Sequence, residues 1–567
     1  GSEMCIRDRA CTAAMTVSLI SGCGGASDKG QKEAVKEAEG TAKEDLPLAK
    51  YPETVTVHLG GKMNPNAKIP KGMSFEDNSY TRLLKENLNI QVVYDWTAST
   101  SDYDEKMSLC IGSNTIPEIM NVNATQYRAL LKYDMIQPLD KYFDDYASDA
   151  LKSYVKSGGE ELQKCITNED GELMAIPAPN LTAGGVNEMW IRQDWLDALG
   201  LDVPRTWDEL AEVAKAFVTR DPDGNGENDT IGILGPGNSD HMNAVGGNQF
   251  GLDPLFSCFQ SYPQYWLKSE DGSVEYGSIQ PETKTALENI SKLYADGVID
   301  PETLVRSDSK EPLLAGKVGI FFGPWWCAYT FADTTLSGSA DWRAYFTPLS
   351  EDGKYYTHMA EPTTQYVVAS KDCKNPEAAF KIINYIVANE QKWVEEGVTS
   401  TEMGTGDFYP LYNTYDNADE IEKSYEALTK YLAGDISMDD VDFSTHKLLK
   451  NDMEAVTKLK KKPYDDFSLK YWNLDSDLAK TNLPRLVAIM VGDAPLVNEE
   501  YVPVYNAYNG QTETMEAKWA NLKKMEEETF AKIIMGKADI SEFDTFVKNW
   551  KNQGGDQILK EINDELS

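Results

Sequence analysis

Strand-like and helix-like stretches alternate in two successive sets along this chain, which predicts an α/β protein of two lobes with an extended helical C-terminal region. Three observations carry that expectation. Thr54–Leu59, Ile90–Tyr94 and Ile116–Asn121 read as strands, separated by helical patterns at Ser79–Asn87 and 102–113, an order that implies a mostly parallel sheet. A second alternating set runs from Val186 to about Pro348 and includes the apolar strand Lys317–Phe322. Gln365–Ala369 then reads as a strand returning toward the first set, followed by a helix over Pro376–Val387, so the chain crosses between the sets more than once.

At 567 residues there is room for two or more domains. The formal net charge of −38, from 92 acidic and 54 basic residues, disfavours nucleic acid and anionic lipid as partners. Near the start, Ala13–Ile20 is apolar but too short to span a bilayer, and Leu19-Ile20-Ser21-Gly22-Cys23 resembles a lipobox, with small residues before a cysteine that would be acylated. Residues 1–23 therefore read as a leader, of which 1 to about 11 look foreign to a signal sequence. Residues 24–50 carry almost no large apolar side chains and read as a flexible linker. Cys110, Cys165, Cys258, Cys327 and Cys373 lack metal or disulfide spacing and are expected to be small buried hydrophobes.

The most informative stretch is 187–230. Met189–Arg192 is a strand, and the segment Asp194–Leu196 after it stops at Gly200. Thr206 with Glu209 forms a capping box, and Trp207, Leu210, Ala214 and Phe217 recur at helical spacing. That helix runs into Asp221-Pro222-Asp223-Gly224-Asn225-Gly226-Glu227-Asn228-Asp229, most of a calcium loop. Asp221, Asp223, Asn225 and Asp229 would supply side-chain oxygens and Glu227 its carbonyl, with Thr230 as a weaker donor. Gly232 stands where a complete EF-hand has its bidentate Glu, so a structural Ca²⁺ is expected in a partial loop.

The run W-I-R-x-D-W-L-x-x-L-G-L-x-x-P-x-T-W-D-E-L followed by D-P-D-G-N-G resembles the lipoprotein solute-binding subunits of bacterial carbohydrate ABC importers. Gly323-Pro324-Trp325-Trp326, Tyr409-Pro410-Leu411-Tyr412-Asn413 and the tail from Thr512 to Asn563 continue the resemblance, in order, over most of the chain after residue 50. It implies a two-lobed periplasmic-binding-protein-like fold of type II, with 51–180 and 361–430 forming the first lobe and 181–360 and 431–567 the second. It further implies an oligosaccharide ligand held between hinged lobes, delivery to the transmembrane subunits of a permease, and a monomeric, membrane-anchored protein outside the cell.

No G-x-S-x-G, H-E-x-x-H, P-loop or dinucleotide fingerprint occurs, and the four histidines are scattered, so no enzymatic activity is expected. Sugars need aromatic faces and planar polar groups. Trp325 and Trp326 follow a strand end where α/β folds place ligands, and the resemblance puts this position at the sugar cleft. Trp190, at the crossing between lobes, and Tyr265 with Trp266, in an irregular aromatic loop, are further candidates. Asn121 and Asn123 occupy the place where the family sets polar contacts, and Glu361 lies near a hinge. A secreted polysaccharide-active enzyme and a binding protein for peptides or another small solute are the alternative readings.

Overall fold

The computed structural model describes residues 43–237, 247–337, 340–396, 404–443, 446, 448–461 and 471–566. Cys23 and the start of the linker lie outside these. Numbered along the chain, the strands begin with β1 (Val55–Met63), β2 (Ile90–Ser99), β3 (Ile119–Val122), β4 (Ile176–Pro179), β5 (Glu188–Arg192) and β6 (Ile231–Leu234). They continue with β7 (Trp266–Lys268), β8 (Val274–Tyr276), β9 (Val318–Gly323), β10 (Trp342–Tyr345), β11 (Tyr355–His358), β12 (Thr363–Ala369) and β13 (Tyr501–Val504).

The chain divides into two units: one takes residues up to Pro179 with Thr363–Asn417, the other Asn180–Pro362 with Ala418 to the C-terminus. Residues 418–430, expected in the first lobe, pack in the second unit instead. Ile421 and Leu428 of the helix Glu420–Ala433 enter its core, and Thr182 donates its backbone N–H to the Ala418 carbonyl at 2.8 Å.

The first unit is built on a five-stranded sheet ordered β2-β1-β3-β12-β4. β1 pairs in parallel with β2 and β3, but the returning β12 runs antiparallel to both β3 and β4. The strands expected from the sequence are thus parallel as predicted and β4 shares their direction; only the returning β12, which does not arrive through a helical crossover, runs against them. The helix Ser79–Leu88 starts at Asn78, whose side chain accepts from the N–H groups of Tyr80 and Thr81. Residues 43–50, expected to be flexible linker, are folded onto this unit: Lys43–Leu48 makes a 3₁₀ turn, and Lys381 Nζ donates to the Leu46 and Ala49 carbonyls at 2.6 and 2.9 Å.

The second unit has a mixed sheet ordered β10-β5-β9-β6 with a separate core on each face. Period-two alternation sorts the side chains. Met189, Ile191, Ile320 and Phe322 face one core with Trp195 and Phe217, while Trp190 and Phe321 face the other with Phe331 and Trp342. The helix Trp207–Thr219 lies on the first face, and the helices Pro281–Ala295, Glu513–Ile534, Glu542–Trp550 and Asp556–Leu566 extend that core outward; Leu449–Leu459, Asp477–Val487 and the π turn Ala488–Gly492 build the core of the second face. The box predicted at Thr206 and Glu209 caps the helix Trp207–Thr219, with both reciprocal bonds made. Lys460 is buried between the Tyr471 and Trp472 rings at 5.2 and 5.1 Å. The five cysteines of the described residues are free thiols, and Cys165 is only half-buried. No described helix is long and apolar enough to cross a membrane.

Candidate functional site

In the first unit the carboxyl ends of β1, β2 and β3 carry a continuous polar and aromatic patch. Gly60 stands opposite Trp96 in register, and a Cβ on Gly60 would lie 2.5 Å from the indole, so only glycine lets the ring settle there. Trp96 is half-buried and its ring meets Tyr103 at a centroid distance of 5.4 Å. The Tyr103 hydroxyl donates to the Asn121 carbonyl at 3.1 Å, and Lys62 Nζ stands 5.6 Å from the centre of the Tyr103 ring. Asn121 Nδ2 donates to Asn413 Oδ1 at 3.1 Å, and Asn413 Nδ2 reaches the Tyr415 hydroxyl at 3.4 Å. Asn121 Oδ1 and Trp96 Nε1 are buried without a hydrogen-bond partner, an acceptor and a donor left for something else to satisfy.

Asn121 thus sits within a polar patch, whereas Asn123 has another task. Its Oδ1 caps the helix Ala124–Lys132 by accepting from Gln126 N–H at 3.0 Å, so that oxygen is already engaged. Trp96, Tyr103 and Asn413 were missed. A Gly-Gly pair inside a strand, and the Y-P-L-Y-N motif, were the signals that could have found them.

The aromatic candidates of the second unit separate sharply. Trp190 is fully buried, stacked on Phe321 at 6.4 Å and edge-on to Phe331 at 5.1 Å, so its ring is engaged in core packing. Tyr265 is also buried; its hydroxyl donates to the Met359 carbonyl at 2.6 Å and its ring meets His358 edge-on. Trp266 begins β7 rather than lying in a loop, and packs against Tyr276 and Trp519 at 4.6 and 5.5 Å. Trp325 lies in the 3₁₀ turn Trp325–Cys327 just beyond β9, buried with its Nε1 unpartnered. Trp326, in the same turn, is half-buried and keeps part of its ring at the surface. Glu361 is half-buried too, and burial pushes its carboxyl up to about 7. The Asn509 amide lies 3.1 Å from Glu361 Oε1 and donates to it when turned nitrogen-inward.

The acidic loop is pre-formed by its own hydrogen bonds. Asp221 accepts from the N–H groups of Asn225 and Gly226 at 3.1 and 3.0 Å, while Gly224 and Gly226 take the positive φ angles of +66° and +79° that the bends require. Asn225 Nδ2 donates to Asp223 at 2.9 Å and to Asp229 at 3.3 Å, and Asn225 Oδ1 accepts from Glu227 N–H. Lys317 pairs with Asp229 at 2.8 Å and holds its carboxyl below the usual range. Burial and the neighbouring Asp221 raise that of Asp223. Thr230 does not belong to the set: it is buried, and its hydroxyl donates to the Phe217 carbonyl at 2.6 Å. The remaining donors are all oxygen, the type a hard cation takes, although among the described residues no three acidic side chains converge as a metal cage in this geometry.

Comparison with known proteins agrees with the fold. The family model described as bacterial extracellular solute-binding protein matches residues 67–393. The fructooligosaccharide ABC transporter substrate-binding protein FusA of Streptococcus pneumoniae is 30% identical over 259 residues, 42% of this chain and 45% of FusA, so the match spans about half of that relative's length. The polygalacturonan/rhamnogalacturonan-binding protein YtcQ of Bacillus subtilis is 23% identical over 519 residues, 88% of this chain and 92% of YtcQ. A solute-binding protein from Bifidobacterium longum infantis, described as HMO binding and ABC-transporter associated, superimposes with a TM-score of 0.56 at 16% identity. It covers 90% of this chain and 98% of its own. With the fold shared along nearly the whole chain and the family model matched over more than half of it, this protein belongs to the bacterial extracellular solute-binding protein family.

Proposed function

We propose that this chain is the extracytoplasmic carbohydrate-binding subunit of an ABC importer, that it takes up an oligosaccharide and presents it to a membrane permease, and that it binds without breaking bonds. The observation that carries the reading is the first unit's patch, where Trp96 and Tyr103 offer ring surface beside the Asn121–Asn413 amide pair. Pyranose and furanose rings present C–H faces and hydroxyls together, and such a patch meets both needs. The descriptions of FusA as a fructooligosaccharide protein and YtcQ as a polygalacturonan/rhamnogalacturonan-binding protein support the substrate class. Within the second unit, Trp326 and Glu361 are half-buried and keep surface for a ligand, where Trp190, Tyr265 and Trp266 are spent on packing.

The chain is proposed to be a monomer tethered through acylated Cys23, with a Ca²⁺ in the loop Asp221–Asp229. There Asp221, Asp223, Asn225 and Asp229 would hold the ion, whose charge would offset the mutual repulsion of the carboxylates. Titration calorimetry with fructooligosaccharides, oligogalacturonides, neutral hexose oligomers and short peptides tests the central reading. Saturable binding to one saccharide class, lost in Asn121→Ala and Trp96→Ala without reducing-sugar release over hours, is the expected result. Binding confined to peptides, or sustained saccharide turnover, would refute it. Incorporation of labelled palmitate that disappears in Cys23→Ala tests the anchor.

A further inference from the structure

Buried polar atoms without partners gather where the second unit's sheet meets the C-terminal region. Both oxygens of Glu188, both of Asp493, and the indole nitrogens of Trp190 and Trp325 are buried with no hydrogen bond. Glu188 opens β5 opposite Gly323, the residue before Pro324-Trp325, and Trp190 lies two residues on, along the same face of the strand. Gly492 closes the contact from the other side. A Cβ there would stand 2.7 Å from the Trp325 carbonyl oxygen and 2.9 Å from Trp190 Cζ2, so the π turn Ala488–Gly492 presses directly on the turn carrying Trp325 and Trp326. Asp493 follows immediately; burial first, and any charge on Asp493 second, push the Glu188 carboxyl up.

The surroundings of both carboxyls are acidic or neutral. Asp493, Glu499, Cys327 and Tyr355 face Glu188. Glu422 and Glu426, from the helix Glu420–Ala433, and Tyr501 of β13 face Asp493. The cations nearby are engaged elsewhere: Arg205 pairs with Glu499, and Lys423 with Glu426 at 3.2 Å. A carboxylate with neither solvent nor partner does not stay charged, and it is neutralised by a proton unless a cation takes its place. Indole N–H edges at the same spot disfavour a cation, and among the described residues no three acidic, His or Cys groups are arranged to hold one.

We propose that Glu188 and Asp493 are neutral carboxylic acids that form a proton-operated latch between the Trp325-Trp326 turn and the C-terminal region, closed at acidic pH and loosened as pH rises. The sign follows from linkage. In the unfolded chain both acids ionise above about pH 4.5, whereas the native state keeps its protons. Each retained proton therefore reduces the folding equilibrium about tenfold per pH unit above that point, until the native acid itself ionises. Any consequence for ligand affinity rests on the carbohydrate reading; the latch itself does not.

The test is melting temperature from pH 5 to 8 for wild type, Glu188→Gln and Asp493→Asn, with infrared spectra at pH 7. The wild type should lose stability steadily with rising pH. Each amide variant should show a shallower slope, a higher melting point at pH 8, and slower hydrogen exchange over residues 324–327 and 488–498. The wild type should also show the high-frequency C=O stretch of carboxylic acids lacking hydrogen bonds, which distinguishes them from bonded acids such as Glu526, reached by Tyr276 and Ser278. Slopes identical to wild type in both variants, or stabilisation by added metal ions that the variants abolish, overturn the proposal. If neither variant folds, absence of that band from the wild type overturns it alone. No ligand enters these readouts, so they can fail while the carbohydrate reading stands.

Discussion

Replacing Lys381 by Met should release residues 43–50 from the first unit. The ammonium is fully buried, donates to the Leu46 and Ala49 carbonyls at 2.6 and 2.9 Å, and lies 5.0 and 5.3 Å from the Tyr51 and Tyr146 ring centres. Charge-assisted bonds contribute about 1.5–3 kcal/mol each. Burying an ammonium costs several kcal/mol, which methionine would not incur, so the two effects largely offset one another in global stability. A net loss of about 2 kcal/mol remains, or roughly 4–8 °C in melting temperature for a domain of this size. The local effect is larger, because nothing in methionine can satisfy the two carbonyls. Asn384 Nδ2 still holds the Pro47 carbonyl at 3.1 Å, so Lys381→Met with Asn384→Ala should free residues 46–49, leaving Lys50 bonded to the Glu86 carbonyl at 2.6 Å. Limited trypsinolysis followed by mass spectrometry reads this directly, since Lys43 and Lys50 flank it. Cleavage after Lys50 should accelerate at least tenfold, for a local opening eased by about 1.4 kcal/mol or more. Unchanged cleavage and an unchanged melting point would show that residues 43–50 are held by something other than this clamp.

Three further outcomes are expected. Trp190→Ala should destabilise the second unit by about 3–5 kcal/mol, while Trp326→Ala should leave stability nearly intact and weaken saccharide binding about two- to tenfold, read by calorimetry on folded protein. Burial raises the Glu361 carboxyl to about 7, so the native state keeps a proton that the unfolded chain has lost. Wild-type stability relative to Glu361→Gln should then fall between about pH 4.5 and 7, by about 1–2 kcal/mol given its partial exposure, and level off above; a flat difference in pH-resolved melts would contradict this. Calcium at about 10 mM should stabilise the protein by about 1.4–2.7 kcal/mol if the loop binds with the sub-millimolar to millimolar affinity of extracellular sites, and Asp221→Asn with Asp223→Asn should abolish the shift. Melts in chelator and in calcium that coincide would remove the ion from the loop.

Local signals were readable in the sequence because they depend on few neighbours. The Thr206–Glu209 box needs only one helical turn. Faces of buried strands were not readable. β5 and β9 are buried along their whole length, so no polar position marks which side Trp190 takes. Its side is set by helices of the C-terminal region, far along the chain. Trp266 shows the same blindness: its stacking partner Trp519 lies on a distant helix, and only the pairing of β7 with β8 makes the stretch a strand. In the calcium-type loop, spacing gave the Asp residues their places but could not tell that the Thr230 hydroxyl turns to the Phe217 carbonyl. The strand expected to stop at Leu59 continues as β1 to Met63, because Gly60 makes room for Trp96.

That last misreading bears on where selectivity resides. The second unit holds all the tryptophans except Trp96 and Trp393, yet most of those rings are spent on two cores that a single sheet must support on both faces. Aromatic content there measures packing demand, not ligand affinity. The first unit has one core and leaves Trp96, Tyr103 and the Asn121–Asn413 pair at the carboxyl edge of its sheet, with a buried acceptor and a buried donor still unmatched. Orphaned polar atoms reject a ligand that cannot complete them more strongly than apolar surface rejects a poor fit. Discrimination among saccharides should therefore follow substitutions at Asn121, Asn413 and Trp96, while substitutions at Trp325 and Trp190 change whether the second unit holds together at all.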